Sequence, residues 1–216
     1  MIETADVTAV ETSGPTITKS FAAVLRDRLP GWSILPVLEW LASEGQRIDE
    51  PNDFTLALAL RMHRTKAPIV RLRLSSKTLD PDRPGWSAVW HLGQPSDRNR
   101  VARFGFEKRA SYIDSPISIV DRTKKPYHVA LDSAHMTGAH PILKELAAQG
   151  VTDYLILPVR SKIGSASMAL ATDRMNGFSE FDLHKFCLLT DVIAPMLELA
   201  IKTDRADDFT HSNLSN

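Results

Sequence analysis

The run HPILKELAAQGVTDYLILPVRSKIGSASMALATDRMNGFSEFDL, His140 to Leu183, decides the fold. It holds a short helix, two strands and the start of a closing helix. Thr152 to Val159 carries Tyr154, Leu155, Ile156, Leu157 and Val159, leaving neither face polar, as a strand in the middle of a covered sheet requires. Ser165 to Thr172 is its partner. The link Arg160 to Gly164 is short, polar and glycine-terminated, which predicts an antiparallel hairpin. Ser165, Ala166, Ser167, Ala169 and Ala171 are small enough to admit a close neighbour, either a packed helix or a bound ligand. Pro141 to Gln149 reads as a short helix closed by Gly150. After the second strand the chain turns at Asn176-Gly177. Ser179 then stands as helix N-cap with Asp182 three residues on, and Phe178 is placed to staple against Leu183.

Working outward, the closing helix presents Phe181, Leu188, Leu189, Val192, Ile193, Met196, Leu197 and Ala200 on one side. His184, Asp191, Glu198 and Lys202 lie on the other, and Pro195 predicts a kink. Residues 204–216 are polar and are expected to form a loose tail. Upstream, Ile17 to Leu29 and Ile34 to Leu41 have helical spacing. A third helix takes Asp49 or Asn52 as its cap, with Pro51 and Asp53 in the first turn, continues through Phe54 to Leu60 and closes on Arg61, Arg64 and Lys66 before Pro68.

The period then changes to two. Val70, Leu72 and Leu74 are read on one face of a strand with Arg71 and Arg73 on the other. A turn rich in Asp and Pro separates it from Trp86, Ala88, Trp90 and Leu92, which alternate with Ser87, Val89 and His91. A further strand is expected through Ala102, Phe104 and Phe106. Ser115-Pro116 opens a short helix that Lys124-Lys125-Pro126 ends, and Tyr127, Val129 and Leu131 form a brief strand. Residues 1–15 lack periodicity and read as a disordered arm, which leaves one domain over residues 16–203.

Composition narrows the function. The 26 Lys and Arg balance 26 Asp and Glu, which argues against a nucleic-acid surface. One cysteine, Cys187, allows neither a disulfide framework nor a cysteine metal cluster and is compatible with the cytoplasm. No run approaches the roughly 18 apolar residues of a membrane span, and no signal peptide is evident. Motifs for nucleophile elbows, phosphate loops and zinc-protease helices are missing, so no catalytic residue is assigned. His135 and His140 have no helical phase or acidic companion that would make them ligands, and no metal is expected. The polar residues in or at the ends of strands form the candidate set: Arg71, Arg73, His91, Tyr127, His128, Asp153, Asp173 and Arg174. A curved sheet could gather them beside Trp86 and Trp90 in a cup for a small polar ligand; the alternative is a solvated face with ion pairs.

Several stretches carry a resemblance: Glu39-Trp40-Leu41-Ala42-Ser43-Glu44-Gly45, Arg71-Leu72-Arg73-Leu74 leading to Thr78-Leu79, the Trp90 strand and Asp114-Ser115-Pro116-Ile117. To these are added the run from Glu145 to Leu155, and Ala171-Thr172-Asp173-Arg174 followed by Gly177-Phe178-Ser179. Together, over roughly Trp32 to Thr203, the chain resembles the GAF-like N-terminal region of bacterial class III adenylate/guanylate cyclases. It departs at Asp80-Pro81, where His-Pro is expected, and at Met175-Asn176, where Pro-Gly is expected.

The resemblance implies an α+β fold, a GAF-like antiparallel sheet with helices packed mainly on one face and a long C-terminal helix. It implies a non-catalytic sensory or regulatory role in cyclic nucleotide signalling, with a possible small ligand of unknown identity. A homodimer through the C-terminal helix and a cyclase catalytic domain as partner are further expectations. In such cyclases the catalytic domain follows the closing helix; here only a short tail follows, so this chain is not expected to make cyclic nucleotide. The alternatives are a stand-alone protein-interaction module without a ligand, and an enzyme on the same fold such as a methionine sulfoxide reductase, which would need reactive cysteines in the cup.

Overall fold

The computed structural model describes residues 30–78, 86–94, 112–132, 138–160 and 164–212, with side chains described as far as Leu197. The elements are α1 (Leu35–Ser43), a 3-10 turn (Gly45–Arg47), α2 (Pro51–Arg64), β1 (Arg71–Thr78), β2 (Trp86–His91), α3 (Pro116–Thr123), β3 (Tyr127–Ala130), α4 (Pro141–Ala148), β4 (Asp153–Val159), β5 (Gly164–Thr172) and α5 (Glu180–Ser212). The helix expected over Ile17 to Leu29, the strand through Ala102 to Phe106 and the arm at residues 1–15 lie outside the described residues.

The five strands form one antiparallel sheet in the order β2-β1-β5-β4-β3. β5 is central because both its faces are apolar or small, and β4 beside it is buried along almost its whole length. Cross-strand pairing puts Trp90, Leu72, Leu170, Leu155 and His128 in one row on one face. That face, with Leu74, Met168 and Leu157, meets α1, α2 and α5 in the larger core, where Val37, Leu41, Leu58, Met62, Phe186, Leu189 and Ile193 are fully buried. A buried side chain of this size contributes roughly 1.5–3 kcal/mol, so this helix-covered face holds most of the fold's apolar stabilisation. The opposite face is covered by α3 and α4 through a smaller core of Val120, Leu143, Leu146, Tyr154, Ile156, Ala169 and Ala171.

Local signals hold where a cap or a turn specifies them. The Ser115 hydroxyl accepts from Ser118 N at 3.2 Å to start α3, and Lys124 ends it in the left-handed conformation at φ 55°. Three details differ from the sequence reading. Glu50 precedes Pro51 as the cap position of α2, so neither Asp49 nor Asn52 takes it. Val70 precedes the strand proper and joins the smaller core, while Leu72 and Leu74 face the larger one. Finally, α5 runs to Ser212 through the stretch read as a loose tail. That stretch has no apolar stripe to announce a helix, but it continues one already nucleated upstream, and extension costs far less than nucleation. Pro195 lies inside it.

Candidate functional site

Strand alternation divides the candidate residues between the two faces of the sheet. On the α3 side, one row reads His91, Arg71, Ala171, Tyr154, Val129, and the next reads Val89, Arg73, Ala169, Ile156, Tyr127. A third row holds Ser87, Ser75 and Ser167, with the Ser75 and Ser167 hydroxyls 2.8 Å apart. The small residues of β5 here, Ser167, Ala169 and Ala171, stand between the arginines of β1 and the tyrosines of β4 and β3 and are themselves buried. Arg71 is 8% exposed and its Nη1 has no hydrogen-bond partner. Arg73 donates from Nε to the Ser87 hydroxyl at 2.8 Å. Burial draws the Arg73 pKa below its ordinary value; Tyr154 opposes this, the Arg71 charge adds to it and Asp121 opposes it weakly. Burial, with Tyr154 beside it, raises the Tyr127 pKa, so its hydroxyl stays protonated at neutral pH. At the rim, Asp121 on α3 accepts from the Tyr112 hydroxyl at 2.7 Å and from the Ser165 hydroxyl at 2.8 Å, and Lys124 Nζ donates to Ser165 at 2.8 Å.

Trp86 and Trp90 do not belong to this surface, which corrects the single cup. They are an even number of residues apart from each other and odd from His91, so a period of two sends them to the opposite face. There Trp90 is 4% exposed in the larger core and Trp86 packs against it. His128 and Asp153 also face that side. His128 Nε2 lies 2.9 Å and 3.0 Å from the two Asp153 oxygens, and Phe178 N donates to Asp153 Oδ2 at 2.8 Å. Asp173 is exposed beyond the end of β5. Arg174 reaches the start of α5, donating from Nη2 to Asp182 at 2.5 Å and from Nε to the Gly177 carbonyl at 2.8 Å. Seven of the ten residues therefore make two assemblies: Arg71, Arg73, His91 and Tyr127 on one face, and His128, Asp153 and Arg174 at a junction between sheet and closing helix.

That junction is built around Asp182, which is 2% exposed. Its Oδ1 accepts from Trp32 Nε1 at 3.0 Å, and its Oδ2 accepts from Ser179 N at 2.8 Å and the Ser179 hydroxyl at 2.6 Å as well as from Arg174. Burial alone would raise its pKa, but the Ser179 and Arg174 hydrogen bonds and the Arg174 charge outweigh burial and hold it below the ordinary carboxylate value. One turn along, Lys185 Nζ donates to the carbonyls of Pro30 (2.7 Å) and Trp32 (2.6 Å) and lies 5.3 Å from the Trp32 ring centroid. Burial lowers its pKa, with Asp182 opposing. A cavity of about 440 Å³ lies beside this junction, lined by Trp32, Lys66, Arg174, Phe181 and Asp182 among others. Phe181, read as part of the apolar stripe, is 41% exposed there.

Sequence reasoning missed Tyr154, Asp121 and the serine row on the first assembly, and Asp182 and Lys185 as buried charges on the second. Tyr154 was hidden in an apolar run, although its odd spacing from Leu155 and Leu157 marks the other face. Cys187 packs against the larger core, across the sheet from Arg71, and burial pushes its thiol up to about 11. Among the described residues, no three His, Cys, Asp or Glu side chains converge as a metal cradle would require, and no helix is long and apolar enough to cross a membrane.

This architecture recurs in solved structures. The phycoerythrobilin-bound GAF domain of a cyanobacterial phytochrome aligns with a TM-score of 0.51 at 14% identity, over 81% of this chain and 100% of that one. The GAF domain of a phosphoenolpyruvate-protein phosphotransferase from Coxiella burnetii gives 0.50 at 14% identity, over 82% and 96%. Free methionine-R-sulfoxide reductase from Neisseria meningitidis, in complex with its substrate, gives 0.53 at 10% identity, over 77% and 89%. The fold is thus that of GAF domains, an α+β sheet with a long C-terminal helix. No family model matches the chain, and neither does any curated protein.

Proposed function

We propose that the chain is a sensory or regulatory domain of the GAF type, which takes a small ligand on the α3 side of its sheet and passes the change to α5. The observation that carries this reading is the junction. Asp153 at the start of β4 holds the backbone of Phe178, and Asp182 in the first turn of α5 is held by Arg174, two residues beyond β5. A shift in either strand therefore moves hydrogen-bond partners of the helix start. With 33 residues, α5 is about 50 Å long, against about 30 Å for the nine residues of β5, so it overhangs the sheet as an output element would.

The finer reading has α5 pairing with a second copy and coupling to a class III adenylate/guanylate cyclase catalytic domain. The motifs from Glu39 to Ser179 support it. Signalling requires the ligand to have different affinities for two arrangements of that helix. Thermal shift of the purified protein across a panel of metabolites and cyclic nucleotides tests ligand sensing: a saturable rise in midpoint is expected, and no response from any member removes it. Light scattering at high micromolar concentration tests pairing, and a monomer there removes the dimer. The reductase in the comparison raises an enzymatic reading, but the sole cysteine, Cys187, is on the wrong face and is held as a thiol by burial.

A further inference from the structure

The charge balance on the α3 face is incomplete. Arg71 and Arg73 stand two residues apart on β1 and point to the same side of the sheet. Arg71 is more than nine-tenths buried, with Nη1 unpaired. Among the described residues, neither guanidinium has a carboxylate within ion-pair distance, and the acid that acts on Arg73, Asp121, already accepts hydrogen bonds from Tyr112 and Ser165. Buried cations are ordinarily paired, because desolvation without a counter-charge is costly. An arginine cannot escape that cost by losing its proton at neutral pH. Ala169, which pairs with Arg73 on the central strand, carries nothing beyond Cβ, and the protonated Tyr127 hydroxyl in the same row is a further donor.

From the ligand-binding reading above, we infer that this face selects a small molecule bearing an oxyanion, a carboxylate or a phosphate, whose oxygens are held by the forks of Arg71 and Arg73. Planar guanidinium forks match both groups in a bidentate manner. Neutral analogues of the same shape leave Arg71 Nη1 unpaired and bind more weakly.

The experiment titrates the full chain with inorganic phosphate, succinate and the neutral succinamide, by calorimetry and thermal shift, with sodium chloride at matched ionic strength as control. Saturable binding of phosphate or succinate, with succinamide at least roughly tenfold weaker, is the expected result. A response to phosphate alone assigns phosphate esters, and a response to succinate alone assigns carboxylic acids. Arg71→Met should abolish the response while leaving the free protein's midpoint unchanged or raised, because it removes a buried unpaired charge. Should that variant fail to fold, Arg73→Lys keeps the charge without the fork and should weaken binding by about tenfold. Anion binding unchanged in whichever of these variants folds overturns the assignment, as does a response that sodium chloride reproduces. Saturable binding of succinamide or another neutral metabolite, with no anion response, overturns the anion class but leaves the sensory reading standing. Silence toward both charged and neutral panels overturns both.

Discussion

Replacing Asp182 with asparagine tests the junction directly. The substitution keeps the shape but turns one acceptor oxygen into an amide donor. In one orientation that amide faces Ser179 N, the Ser179 hydroxyl and Arg174; flipped, it faces Trp32 Nε1. A donor meets a donor either way. Hydrogen bonds to a buried charged acceptor are worth about 1.5–3 kcal/mol each and do not add fully. The Arg174 side chain is 44% exposed, so its ion pair is discounted heavily. The two Ser179 bonds then dominate, and the loss is on the order of 2–4 kcal/mol. For a domain of this size that is a fall in Tm of roughly 5–15 °C.

The pH dependence has a definite sign. The folded-state pKa of Asp182 lies below the unfolded value of 3.8, so its contribution is complete above that value and is lost as pH falls through the folded pKa. The gap between wild type and Asp182→Asn, measured by urea unfolding at neutral pH and again near pH ~3, should narrow on acidification. A variant within 1 °C of wild type at neutral pH, by the ~2–4 °C per kcal/mol scale, would refute the geometry. So would a gap that ignores pH.

Two further outcomes follow from nearby groups. Gly177 has φ +62° and a Cβ there would strike the Asp153 carboxylate, so Gly177→Ala should lower stability by at least ~1–2 kcal/mol. An unchanged urea midpoint would show that Asp153 does not need its present position. Because burial pushes the Cys187 thiol up to about 11, its alkylation rate should climb about tenfold per pH unit past the ordinary thiol range. A plateau near pH ~9 would place that side chain in water.

The fold was legible wherever one residue type has one structural use. The apolar run of β4, the Ser115-Pro116 start of α3 and the Ser179-Asp182 cap each correspond to an element at the expected place. The candidate site was legible only in part, for a geometric reason. Arg71, Arg73, His91 and Tyr127 share a face because their spacing and register agree, whereas Trp86 and Trp90 were grouped with them by nearness along the chain, against their own alternation. Lys185 was invisible for another reason. A lysine in a helix is ordinarily a solvated charge, and the carbonyls of Pro30 and Trp32 that bury this one lie about 150 residues away. Such partnerships belong to the tertiary fold and leave no local pattern.

The position of β5 also bears on how the protein is made. Among the described residues it is the last strand yet sits between β1 and β4, so of the described strands only β5 bridges the β1–β2 pair and the β3–β4 pair. Roughly 90 residues separate the end of β1 from β5, which at 5–20 residues per second means roughly 5–20 s of synthesis. During that interval one edge of β1 is open to any passing strand. Arg71, Arg73 and Lys77 occupy that edge, and charged side chains are what discourages strand-to-strand aggregation there. The same guanidiniums that want a counter-ion in the finished domain would thus guard the nascent chain until its centre is in place.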